Sequence, residues 1–314
     1  FVQAGYNAGM RGKKGSYYEG GHRVPFFIRW PGGGIADGRD VDEMALHVDL
    51  LPTLIELCGL EGPEGVTFDG TSLGPLLRGA RQSLPGRRIH TVQIHQGTDP
   101  PEMWRNTVMD RRWRLVSGEE LYNVHADPGQ REDVAEHHPD VVARLREAHQ
   151  RWWEQVEPGL SDYCPISIGT DEENPTRLDA LDVHGDVAWC QVQVVVASRS
   201  SGRWAVKVEQ PGTYRFRLRR WPDELDLPID EPAPQEEADR VAPYFQVWQR
   251  GTIEPVEAIL GIFGRQVSRP VRKGDHETSF EIELDRTGET MLDAWFIERE
   301  GERRGAYYVY VERL

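Results

Sequence analysis

Gly9-Met10-Arg11-Gly12-Lys13-Lys14-Gly15-Ser16-Tyr17-Tyr18-Glu19-Gly20-Gly21-His22-Arg23-Val24-Pro25 runs straight into Phe26-Phe27-Ile28-Arg29-Trp30. Read as chemistry alone, the first stretch is a glycine-rich, cationic loop. Its glycines let backbone N–H groups approach an anion closely, and Arg11, Lys13, Lys14 and Arg23 supply positive charge. An ordinary basic surface loop has the same composition, so charge alone does not separate the two. The order Gly-Lys-Ser/Thr at a helix start is absent, which excludes a phosphate-binding P-loop. The second stretch is a short apolar run closed by Pro31-Gly32-Gly33-Gly34. It predicts a buried strand ended by a turn.

Downstream, Asp49 precedes Leu50, Leu51, Leu54, Ile55 and Leu57 at helical spacing. Pro52 falls in the first turn, where a missing N–H is harmless, and Gly59 ends the helix. Strand followed by helix is an α/β pattern. From Arg88 the period changes to two: Ile89, Thr91, Gln93 and His95 share one face of a strand. Trp113-Arg114-Leu115-Val116 and Glu120-Leu121-Tyr122-Asn123 flank Ser117-Gly118-Glu119, a hairpin signal. Pro139 opens a helix in which Val142, Leu145, Trp152 and Val156 recur on one side. Residues 81–160 therefore read as a small antiparallel sheet covered by one helix. Residues 161–314 are β-rich. Trp204, Val206 and Val208 alternate before Gln210-Pro211-Gly212, then Tyr214, Phe216 and Leu218; Phe280, Ile282 and Leu284 and then Leu292, Ala294 and Phe296 repeat the pattern. A sandwich or jelly-roll-like module is expected there.

The formal net charge of -15 argues against nucleic acid as a partner, because phosphate binding needs a basic field. Any site for an anion must then be locally basic within an acidic protein. No apolar run is long enough to span a bilayer. Cys58, Cys164 and Cys190 show no CxxC spacing and read as small apolar residues, buried or half-buried, rather than a disulfide framework or zinc site. Phe1-Val2 reads as the tail of a strand, and the absent initiator methionine as truncation.

Lys14-Gly15-Ser16-x-Tyr18-Glu19-Gly20-Gly21-x-Arg23-Val24-Pro25 resembles the sulfatase signature around that family's active-site lysine. Three further segments resemble the same family in the same order: His47-Val48-Asp49-Leu50-Leu51-Pro52-Thr53-Leu54, Asp69-Gly70-x-Ser72-Leu73-x-Pro75-Leu76-Leu77, and Glu120-Leu121-Tyr122-Asn123 with Asp127-Pro128. The resemblance covers roughly residues 4 to 157. It implies the C-terminal part of an alkaline-phosphatase-like α/β sulfatase domain over residues 1–80, followed by the sheet-plus-helix subdomain over 81–160 and an accessory module over 161–314. It implies sulfate-ester hydrolysis by a formylglycine nucleophile with a divalent cation, usually calcium, on a sulfated small molecule or carbohydrate. A periplasmic or secreted location is compatible with it; oligomeric state stays open. Lys14 maps onto the sulfate-contacting lysine, while Glu19 and Arg23 are expected to pair and brace the loop.

The departures from the family pattern bear on the nucleophile and the metal. None of the three cysteines stands in Cys-x-Pro-x-Arg. Ser83-Leu84-Pro85-Gly86-Arg87 fits the serine form of that motif but follows Lys14 and leads into a strand, so it is rejected. The acidic metal ligands are expected upstream of Phe1, so no metal ligand is assigned. His95, at the end of a strand before Gln96-Gly97, is a candidate for binding a sugar hydroxyl or donating a proton; an exposed strand-end histidine is the plainer reading. Trp189, Trp204 and Trp221 could form a carbohydrate surface, with core packing the default. Two other activities stay open: a phosphoester or phosphonate hydrolase of the same superfamily, and a non-catalytic carbohydrate-binding protein.

Overall fold

A computed structural model describes residues 6–36, 38–84, 89–93, 100–241 and 250–314. The chain divides into two compact units, one formed by residues 6–95 and 101–160 and the other built mainly of residues 161–314. The fold is α/β with antiparallel and mixed sheets.

In the first unit, a one-turn helix α1 (Glu19–His22) follows the glycine-rich loop, α2 is Leu50–Cys58 and α3 is Gly74–Leu77. Four antiparallel strands then pair in chain order: β1 (His90–Gln93), β2 (Asn106–Met109), β3 (Trp113–Val116) and β4 (Glu120–Asn123). The β3–β4 turn has Ser117 and Gly118 at φ of 50° and 72°, the two left-handed residues that match the natural twist of a tight hairpin. Helix α4 (Pro139–Val156) carries Pro at its first position and buries Val142 and Leu145 against Val108, Trp113, Leu115 and Leu121 of the sheet.

One expectation for this unit is corrected. Phe26–Trp30 is not a buried strand. It lies outside any strand, with only the isolated bridge between Trp30 and Ile35, and Phe27 is 91% exposed. A strand needs a neighbour to take its backbone groups, and among the described residues none lies alongside. Helix α2 does form, capped by Gly59 in the left-handed region, but Leu50, Leu51 and Leu54 are exposed and the buried side chains are Thr53 and Leu57.

The buried stripe of α4 also differs in content. It consists of Val142, Leu145, His149 and Trp153, so a histidine occupies a core position. The His149 ring sits beside those of Trp104, Trp152 and Trp153. Its Nε2 lies 2.7 Å from the Met103 carbonyl and its Nδ1 3.2 Å from the Thr91 hydroxyl. Asn106 Nδ2, which donates to the same Met103 carbonyl at 2.6 Å, also lies 2.8 Å from Nε2; a neutral ring donating from Nε2 to the Met103 carbonyl and accepting at Nδ1 satisfies the Met103 and Thr91 partners. Burial pushes its pKa below the usual value. The unfolded chain then binds a proton at a higher pH than the folded one, so stability is full above about pH 6.5 and falls as pH drops through that value toward the depressed one. His149→Gln is expected to flatten the loss of the urea midpoint between pH 7.5 and 5.5; an equally steep loss in the variant would exclude this origin.

The second unit holds β5 (Ile166–Ile168), β6 (Thr176–Asp179), β7 (Val183–His184), β8 (Arg203–Val208), β9 (Gly212–Arg219), β10 (Pro255–Ile262), β11 (Arg265–Pro270), β12 (Thr278–Leu284), β13 (Gly288–Glu298), β14 (Arg303–Gly305) and β15 (Tyr308–Arg313). One sheet runs β11-β10-β13-β8-β5, with β14 on β13 and β7 on β8; the other runs β12-β9-β15-β6. Among the described residues only the β5–β8 pair is parallel. Trp204, Val206 and Val208 of the first sheet share one core with Tyr214, Phe216 and Leu218 of the second, which makes this unit a two-sheet sandwich. The turns after β8 and β12 are therefore crossings between sheets and not hairpins. Trp204 and Trp221 are buried, their indole N–H groups donating to the Asp179 and Glu231 carbonyls at 2.8 and 3.1 Å. Of the three tryptophans considered for a carbohydrate surface, only Trp189 is exposed.

Candidate functional site

The loop over residues 9–25 doubles back on itself. The Gly20 N–H donates to the Arg11 carbonyl at 2.8 Å and the Ser16 N–H to the Lys13 carbonyl at 2.9 Å. The Lys13 N–H donates to Ser16 Oγ at 3.1 Å. Gly12 and Gly15 both have φ of 85°, the left-handed region that favours glycine. A Cβ on Gly20 would lie 2.5 and 2.7 Å from the Gly12 and Arg11 carbonyl oxygens, and one on Gly21 would collide with the Ser16 carbonyl. Backbone thus packs on backbone, and Lys14 lies exposed on the turn between Lys13 and Ser16.

The β3–β4 hairpin holds this loop. Glu19 is 2% exposed, and its carboxylate meets Arg114 Nε of β3 at 2.5 Å. Arg23 Nη1 lies 3.5 Å from the other Glu19 oxygen, with the Arg23 side chain largely exposed. The Glu19–Arg23 contact is therefore present but peripheral, and Arg114 is the principal partner. Gln130, fully buried, accepts the Glu19 N–H at 2.8 Å through Oε1, and its carbonyl accepts Arg11 Nη1 at 3.2 Å. Arg11 also donates to the Tyr122 hydroxyl at 2.8 Å, and its guanidinium lies 3.8 Å from the Tyr18 ring centroid. The Tyr18 and Tyr122 hydroxyls both donate to Glu120. Burial, helped by the Arg114 charge and opposed by that of Glu19, pushes the His22 pKa down, and its Nε2 is buried without a partner.

Sequence reasoning passed over Arg114, Gln130 and Arg11 as partners. A signal existed for Arg114, a cation inside an otherwise apolar strand. None existed for Gln130, whose φ of 48° and burial belong to a loop.

The other family-like segments interlock with each other. Asp49, fully buried, accepts the Leu46 N–H and the Thr71 N–H, each at 2.8 Å. Thr53 Oγ1 accepts the Leu73 N–H at 2.8 Å and donates to the Asp49 carbonyl. A Cβ on Gly70 would collide with the Val48 carbonyl. These residues hold a helix start against a loop, which accounts for their types without any chemistry on a substrate.

The remaining candidates disperse. His95 lies outside the described residues, as do Pro85 to Arg87 of the rejected serine motif and Phe1-Val2. The three cysteines are free thiols, and contrary to expectation Cys58 and Cys164 are exposed. Among the described residues no group of three or more His, Cys, Asp or Glu is placed to hold a metal ion. No helix among them is long and apolar enough to cross a membrane.

Residues 12–155 match the family model described as N-sulphoglucosamine sulphohydrolase, C-terminal. Arylsulfatase D of Homo sapiens is 31% identical over 150 residues, covering 45% of this chain and 25% of its own length. Steryl-sulfatase of Mus musculus is 45% identical over 91 residues, covering 29% of this chain and 14% of its own. An N-acetylgalactosamine-6-O-sulfatase of Bacteroides thetaiotaomicron is 30% identical over 155 residues, covering 44% of this chain and 28% of its own. The chain thus spans 14 to 28% of the length of these relatives.

Proposed function

We propose, from the membership of residues 12–155 in the sulfatase family as its C-terminal region, that this chain serves a sulfuric ester hydrolase by presenting Lys14 to the sulfate group. The observation that carries the reading is the loop itself: an exposed lysine on a turn whose legs close where Gly20 and Gly21 pack on backbone carbonyls, and whose base is tied to a sheet by a buried ion pair. As the S–O bond of a sulfate ester breaks, charge grows on the leaving oxygen and redistributes over the sulfate oxygens. A cation fixed beforehand stabilises that charge without reorganising at the moment of reaction. Glu19 and Arg23 act on the loop and not on the substrate.

Formylglycine and calcium, which the family resemblance brings with it, find no matching residues among those described. On this proposal the nucleophile and the metal ligands lie on polypeptide other than these residues. The 314-residue chain by itself is expected not to turn over an aryl sulfate, even with calcium. The substrate is a sulfated small molecule or carbohydrate.

The discriminating assay compares 4-nitrophenyl sulfate with 4-nitrophenyl phosphate, using the sulfatase holoenzyme that carries this chain. Sulfate turnover should exceed phosphate turnover by at least about 100-fold, a difference of roughly 3 kcal/mol in barrier. The opposite order would transfer the assignment to a phosphoester hydrolase.

A further inference from the structure

We propose that Glu120, with Tyr122, is a positioning residue that sets where the Lys14 ammonium stands; this rests on the reading of Lys14 as the sulfate-contacting cation. Arg11 and Tyr18 are the two legs of the Lys14-bearing turn, joined at the base by the bond from the Gly20 N–H to the Arg11 carbonyl. They stack on each other, with the Arg11 guanidinium 3.8 Å from the Tyr18 ring centroid. Both legs end on β4. The Tyr18 hydroxyl donates to Glu120 Oε2 at 3.0 Å, Tyr122 donates to the same oxygen, and Arg11 Nη1 lies 2.8 Å from the Tyr122 oxygen and 3.8 Å from Glu120. One carboxylate oxygen therefore gathers two phenols and a guanidinium, one group from each leg of the turn and one from the strand.

The chemistry needs all three. Glu120 accepts from both phenols; Tyr122, having donated its proton to Glu120, is left with lone pairs facing Arg11. Desolvation and the adjacent carboxylate raise the pKa of both tyrosines, so they remain donors throughout the neutral range. Arg11 and Glu120 are each roughly 40% exposed, so the ion pair on its own adds little stability. Its consequence is geometric. The buried Glu19–Arg114 pair fixes the loop's far end, and the Glu120 cluster fixes the rotation of the turn about that anchor. A displacement of about 1 Å at a reacting centre can cost about 100-fold in rate.

The test is a double-mutant cycle in the sulfatase holoenzyme, with 4-nitrophenyl sulfate as substrate. Glu120→Ala should lower kcat roughly tenfold with KM within about twofold. Glu120→Gln, which keeps an acceptor oxygen, should recover most of the loss. In a Lys14→Ala background Glu120→Ala should have no further effect, because it acts through the amine that is gone. Tyr122→Phe, which deletes one hydroxyl, repeats the measurement should Glu120→Ala not fold. An equal loss in both backgrounds, or no loss with Lys14 present, overturns the inference and leaves Lys14 in place. A Lys14→Ala enzyme with unchanged kcat sinks the underlying reading instead. Hydrogen exchange in the chain itself then decides the brace. The Ser16 and Gly20 amides should exchange about tenfold faster in Glu120→Ala with residues 139–156 unchanged; unchanged Ser16 and Gly20 amides overturn it.

Discussion

Lys14→Ala is expected to lower kcat for an aryl sulfate by about 100- to 1,000-fold in the sulfatase holoenzyme, with a much smaller change in KM. The asymmetry follows from where the charge lies. A bound sulfate ester carries a diffuse single charge that many donors can satisfy. Further negative charge develops on the leaving oxygen only as the bond breaks, so a preorganised ammonium contributes most at that point. Lys14→Arg should recover only a small part, because a planar fork on a longer stem cannot replace a compact ammonium at the same position. The overall charge of -15 makes the local cation more important, since the protein's long-range field repels an anion. A kcat within twofold of wild type for Lys14→Ala, measured at saturating substrate, would remove Lys14 from the chemistry.

The second large effect concerns stability. Glu19 and Arg114 are 2% and 9% exposed at their side chains and meet at 2.5 Å. Arg114→Met leaves a buried carboxylate without its principal partner, with the peripheral Arg23 and the His22 ring as its remaining neighbours. Breaking such a pair from one side costs about 3 to 5 kcal/mol. For a domain of this size that is a drop in Tm of roughly 10 °C or more. The double substitution Glu19→Leu with Arg114→Met should recover much of the loss, since an apolar pair of similar volume is often no worse than the ion pair it replaces. If Arg114→Met melted within about 2 °C of wild type, the pair would not be the anchor described here.

The sequence disclosed the elements more readily than their partners. Period-two and helical patterns located β3, β4, α2, α4 and the sandwich strands β8, β9, β12 and β13, because side chains alternate on a pleat and recur each turn on a helix. They did not disclose that β8 and β9 lie in different sheets, since alternation is the same whether a turn makes a hairpin or crosses the core. Phe26–Trp30 has the composition of a core strand, yet composition does not report whether a neighbouring strand exists. His149 was passed over because a neutral, doubly bonded histidine in a core looks like any polar residue in the sequence.

At the candidate site, the family-like motifs marked the loop and Lys14, and the glycines were read as permitting close approach. What they approach is different from the expectation: the contacts at Gly20 and Gly21 are to the loop's own carbonyls. The partners that hold the loop come from about one hundred residues downstream, and no local pattern encodes such a separation. Glu120 and Tyr122 stood in a quoted motif without a role until the fold set them beside Arg11 and Tyr18.

The most direct measurement is a crystal structure of the sulfatase holoenzyme carrying this chain with sulfate bound at its reaction centre. The account predicts Lys14 Nζ within about 3 Å of a sulfate oxygen, the distance of a charge-assisted hydrogen bond, with Glu120 still joining Tyr18 and Tyr122 behind it. A bound sulfate with Lys14 Nζ more than about 6 Å away, in a loop that keeps the Glu19–Arg114 pair, would contradict it.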